Sequence, residues 1–171
     1  MIATEQGRDL KEAISEITQT LADASAANIP VVGMNVSYDL KMIDNVSKLL
    51  LGSSLSERGW KGPVLDVLVI DRYFDKYRKG GRKLVDLCSH YGVGDVEFHD
   101  AQKDVEASVA VLLCQTAKYL ALRSMDLDML YSSQQEWHRA WAEHFSQYLV
   151  FKGNDPLSES DFSWPLDLVV S

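Results

Sequence analysis

His99-Asp100-Ala101-Gln102-Lys103-Asp104 leads into the longest strongly apolar segment of the chain, Val105 to Leu122. A helix is expected from Asp100 to about Leu122, and helical geometry then puts the Asp100 and Asp104 carboxylates on one face, a turn apart. Ala101, Ala107 and Ser108 are small, so this turn could pack closely against a neighbouring strand. His99 stands just before the first turn, where an imidazole titrating near neutral pH has the properties of a general base. Each residue also has a plainer explanation. Asp100 reads as an N-cap, and Asp104 as a first-turn acid favoured by the helix dipole.

A second stretch, Asn35-Val36-Ser37-Tyr38-Asp39, changes the balance. It follows Pro30 to Met34, which is short, apolar and β-branched as a buried strand would be. A helix is expected from about Ser37, with Leu40, Ile43, Val46 and Leu50 inward. Asp39 could be one more first-turn acid after a Ser37 cap. Its position at the exit of a buried strand gives it another meaning, because open α/β sheets keep ligands at the carboxyl ends of their strands.

The rest of the chain fits around these two stretches. Leu10, Ile14, Ile17 and Leu21 mark an amphipathic helix over about Asp9 to Ala26, opened by Asp9 with Glu12 and stopped by Asn28 and Pro30. Gly52 to Gly62 is a Ser- and Gly-rich loop. Val64 to Leu68 reads as a second buried strand running into a short helix near Ile70 to Tyr77. Gly80-Gly81 breaks the chain, and Leu84, Leu87, Cys88 and Tyr91 form a short helix ended by Gly92 and Gly94. Leu130, Trp137, Trp141, Phe145 and Tyr148 then stripe a final helix reaching about Phe151, its aromatic face expected against the core.

The chain has 171 residues with a formal net charge of −8; 46% are hydrophobic and 25% charged. That is the composition of an ordinary globular protein, and the charge argues against a general nucleic-acid coating protein. It leaves a nuclease open, since carboxylates recruit cations that then meet the phosphates. The basic residues are uneven. Arg72, Lys76, Arg78, Lys79, Arg82 and Lys83 crowd one stretch, either as a solvated loop face or as a phosphate contact. Cys88 and Cys114 lack metal spacing and read as reduced thiols; with no signal-peptide pattern or membrane span, a cytoplasmic location is expected.

In order, the chain offers strand-Asn-x-x-x-Asp-helix, a Val-Leu-Asp strand, a basic Gly break, Leu-x-x-Leu-Cys-x-x-Tyr-Gly-Val, and His-Asp-Ala-x-x-Asp on a long helix. This order resembles the DEDDh family of 3'–5' exonucleases, which includes the proofreading subunits of bacterial replicative polymerases. GMNVSYDLKMID resembles the second motif of that family and EFHDAQKDVEAS the third, the likeness covering about Asp9 to Tyr119. The aromatic helix and the Trp164-Pro165 tail are similar to stand-alone actinobacterial and phage members.

The resemblance implies the C-terminal part of an RNase H-like α/β fold, mostly helical, with two buried strands and a C-terminal aromatic helix. It divides the chain into a partial exonuclease domain over 1–124, a helical extension over 125–152 and an irregular tail over 153–171. It implies Asp39 and Asp104 as metal ligands, His99 as general base, and Asn35, Arg82 and Lys83 toward the substrate. Two magnesium or manganese ions, about 4 Å apart, would activate water and steady the leaving oxygen at a DNA or RNA 3' end. Asp66 reads instead as a structural hydrogen-bonding acid.

The family's first motif, an Asp-x-Glu on an N-terminal strand, finds no place in the 34 residues before Asn35. Asp95-x-Glu97 has the spacing but lies in the loop leading to His99. The expectation is therefore a chain lacking its N-terminal strands and with an incomplete site on its own, Pro30 to Met34 being an edge strand with an unpaired ladder and a bare apolar face. Such a chain is expected either to pair, with an N-terminal half, a second copy or a polymerase partner, or to be marginally soluble. The alternatives are a non-catalytic remnant or interaction module, or a helical binding protein with chance motifs.

Overall fold

The computed structural model describes residues 7–94 and 101–166. It is a mixed α/β protein, mostly helical, around one pair of parallel strands, β1 (Val31–Gly33) and β2 (Val64–Asp66). Val31, Val32 and Gly33 lie opposite Val64, Leu65 and Asp66. Among the described residues no helix is long and apolar enough to cross a membrane.

Alternation along the strands sends side chains to two faces. Val31 and Val64 join Leu40, Leu55, Trp60 and Trp164 on one side. Val32 and Leu65 join Ile70, Leu122 and Leu130 on the other. A third cluster, of Val67, Leu87, Cys88, Ala107 and Val111, lies just past the strand ends, with Met34 packed against it. The expected bare face of the first strand is therefore covered on both sides by helices. Along its outer edge it pairs with no further strand among the described residues. Val31 donates to the Pro63 carbonyl, so parallel geometry turns the N–H and C=O of Val32 away from β2, where they meet no partner among the described residues.

Local chemistry sets the helix boundaries. In α1 (Leu10–Ala26) Asp9 is the N-cap, accepting from the Glu12 N–H at 3.0 Å. Helix α2 (Val36–Leu51) ends at Gly52, whose φ of 74° suits glycine alone without strain. The second strand is shorter than its apolar run. Asp66 turns back to accept from Leu68 N–H and so starts α3 (Val67–Phe74) inside the stretch that reads as strand. Helix α4 (Leu84–Tyr91) is closed by Gly92, as its sequence predicts.

The long apolar helix is divided. Helix α5 (Ala101–Lys118) stops before Tyr119, and α6 (Leu120–Arg123) follows as a single turn. Tyr119 is held by tertiary contacts: its ring stacks on Phe74 at 4.7 Å and its hydroxyl lies 3.2 Å from that of Tyr91.

Helix α7 (Leu127–Phe151) is no appendage. Gln134 on it is fully buried; its amide nitrogen donates to the Val64 carbonyl at 2.9 Å and its oxygen accepts from the Asp66 N–H at 2.8 Å. One side chain thus takes the place of a third strand along the outer edge of β2. The expected aromatic docking holds for the first half of the helix, where Trp137 stacks on Tyr73 at 4.1 Å. It fails further on, where Tyr148 and Phe151 are exposed. The tail folds back as well. Trp164 and Leu166 enter the core, and Ser37 Oγ donates to the Pro165 carbonyl. The helix and the described part of the tail therefore pack against the same clusters as the two strands.

Candidate functional site

Asp66, 1% exposed, ties the two strand ends together. Its carboxylate accepts from the backbone N–H groups of Asn35, Val36 and Leu68, each at 2.9 Å. Burial pushes the carboxyl above its usual range, and the N–H donors, Asn35 first, draw it back. The structural role read for Asp66 is the one it plays.

This clamp fixes the turn that launches α2. Asn35 adopts φ 58° and ψ 38°, a left-handed conformation that asparagine tolerates better than most residues. Its identity thus has a backbone explanation independent of substrate. Asp39 stands exposed one turn into α2. Asp104 is likewise exposed, in the first turn of α5. Ala107 and Ser108, the small residues in the next turn, are buried at 2% and 4%, which is the close packing their size predicts. Ser108 Oγ donates to the Asp104 carbonyl at 2.9 Å. Asp104 also reaches Cys88 electrostatically: burial first, then the Asp104 charge, pushes that thiol up.

Neither the Asp39 nor the Asp104 carboxylate makes a hydrogen bond or ion pair with another described residue. Both are oxygen donors free to meet a hard cation. His99 and Asp100 lie outside the described residues, as do Asp95 and Glu97. Among the described residues no group of three His, Cys, Asp or Glu side chains could hold a metal ion. A cleft of about 380 Å³ opens beside Ser25, Gly62 and Tyr131, and neither acid lines it.

The basic stretch divides in a way its sequence does not reveal. Asp71 is fully buried and receives Arg78 at 3.1 Å, Arg82, and the Tyr91 hydroxyl at 2.9 Å. Arg82 also donates to the carbonyls of Asp75 and Lys76, and Arg78 to that of Gly81. Arg82, expected toward the substrate, is therefore spent on shaping its own loop. Arg72 is also turned inward, its guanidinium carbon 3.5 Å from the ring centroid of Trp141. Lys83 remains exposed, its backbone N–H donating to Asp86 at 2.8 Å and its carbonyl accepting from the Leu87 N–H at 3.0 Å.

A second polar group, missed in the sequence, joins Asp75 to His90 at 2.9 Å and to Lys118 at 3.8 Å. One signal could have exposed the buried anchor. Asp71 interrupts the apolar run Val67 to Ile70, and a charge there requires a partner. No family model matches the chain, and neither the curated proteins nor the solved structures contain a significant match to it.

Proposed function

We propose that this chain is part of a 3'–5' exonuclease with an RNase H-like fold, hydrolysing phosphodiesters at the 3' ends of DNA or RNA. One observation carries the reading. Asp39 and Asp104 stand exposed in the first turns of two helices at the carboxyl end of the parallel pair, with carboxylates uncommitted to any described residue. Asp66 and Asp71, in contrast, are buried and engaged by hydrogen bonds or ion pairs.

Asp39 and Asp104 would hold magnesium or manganese, which prefer oxygen donors. Bound there, the ions would polarise the scissile phosphate and lower the pKa of water. His99 would accept the proton of the attacking water at its imidazole nitrogen. Asn35 would support the first turn beside Asp39, and Lys83 would meet the substrate backbone. Further carboxylates would come from another segment or chain, through an N-terminal half, a second copy or a polymerase partner. The second reading is a non-catalytic remnant or interaction module with the same helical frame.

Release of nucleotides from 3'-labelled single-stranded DNA tests both. The chain is assayed in magnesium and in manganese, alone and joined to a strand-forming segment bearing Asp-x-Glu. Activity of the completed protein should fall at least about 100-fold in Asp104→Asn and in His99→Ala. Activity indifferent to both changes would refute the assignment, and a folded, completed protein without activity would leave the interaction module. Asp104-dependent activity of the chain alone would refute only its incompleteness.

A further inference from the structure

The loop between α3 and α4 is built to present three lysines and a tyrosine. Its arginines face inward, Arg78 and Arg82 meeting the fully buried Asp71 and the loop carbonyls. The Asp86 carboxylate closes the other end on the Lys83 N–H and lies so near Gly81 that a Cβ there would meet it at 2.3 Å. Lys76, Lys79 and Lys83 are exposed, and no ion pair engages them among the described residues. Tyr77 is 89% exposed, with the Lys76 ammonium 5.8 Å from its ring centroid.

Asp71 draws Arg78 and Arg82 inward and, through the Tyr91 hydroxyl, braces the loop against α4, which leaves the lysines as the loop's outward charge. Tyr77 is the most exposed large apolar or aromatic side chain among the described residues. Exposed lysines on a braced loop that also carries an exposed ring are what an unpaired nucleic-acid strand needs, phosphates on the lysines and a base on the ring.

We infer that the Lys76–Lys83 loop binds single-stranded nucleic acid, with Lys76, Lys79 and Lys83 on phosphates and Tyr77 stacked on a base. The choice of ligand rests on the nuclease reading, but the loop contains neither of its acids. An acidic polypeptide would use the lysines and leave the ring idle, so the tyrosine decides between them.

Fluorescence anisotropy with labelled oligothymidylate, in EDTA and at low salt, separates binding from hydrolysis. The triple variant Lys76→Glu, Lys79→Glu, Lys83→Glu should bind at least about tenfold more weakly, and the slope of log affinity on log salt should fall by about 2. Tyr77→Ala should weaken binding about tenfold with the slope unchanged. Circular dichroism checks that these surface variants fold. No binding by the unaltered chain, variants that bind as well as it does, or a poly-glutamate peptide that competes as well as unlabelled oligonucleotide would each overturn the inference. A failed nuclease assay with intact loop-dependent binding would count against the exonuclease alone.

Discussion

Replacing Gln134 by leucine tests the central claim about the sheet, that a helix side chain serves as its third strand. Leucine has nearly the same volume, so packing changes little. The variant leaves the Val64 carbonyl and the Asp66 N–H without partners, in residues that are 0% and 1% exposed. Each orphaned group costs about 1–3 kcal/mol. Burying leucine in place of an amide returns roughly 1 kcal/mol. The net loss is about 3 kcal/mol, which for a domain of this size lowers the melting temperature by roughly 6–12 °C. Calorimetry measures that directly, and the urea midpoint should fall by about 1–2 M. A Gln134→Leu protein melting within about 1 °C of the parent would refute the reasoning. Gln134→Glu adds a signature of its own. The new carboxylate accepts from Asp66 but cannot donate to Val64, and burial raises its pKa in the folded state. Its stability deficit should therefore shrink as pH falls through that raised pKa and the protonated carboxyl donates to Val64.

Three other outcomes are expected. Trp164→Ala, at a side chain only 5% exposed, should cost about 3–5 kcal/mol in urea unfolding, whereas a detached tail would give no change. Gly62→Ala puts a Cβ 2.7 Å from Tyr131 at a φ of 91°, and a loss of about 2–5 kcal/mol should appear in the same assay. Burial holds the His138 imidazole below its ordinary 6.5 while its Nε2 lies 2.9 Å from the Asp161 carbonyl. The unfolded chain then takes up the proton first, so stability is lost as pH falls below 6.5, and His138→Gln should lessen the drop in melting temperature between about pH 7 and about pH 5.

Features written in local chemistry were legible in the sequence. The Asp9 cap, the Gly52 and Gly92 stops and the two apolar strand starts involve residues within a few positions of one another. What failed was decided at a distance. Asp66 ends β2 early because its carboxylate has work at Asn35 and Val36, some thirty positions upstream. Tyr119 breaks the long helix because Phe74 and Tyr91 hold it. The serine-rich tail looked loose because nothing near Trp164 in sequence reveals the cavity it fills. The same division runs through the candidate site. Asp39 and Asp104 could be placed at helix starts from spacing alone. Whether an arginine points outward or is consumed by a buried acid depends on Asp71, which is 7 and 11 positions away from Arg78 and Arg82.

The Gln134 amide has a further effect, on what the molecule can become in a crowd. A sheet grows into a fibre only if each copy offers two open edges, one to receive a strand and one to pass the pairing on. Here the β2 edge is already occupied from within, so among the described residues the strand edge left to a neighbouring chain is that of β1. Two copies meeting there would use up both free ladders at once, and recruitment would stop at a pair.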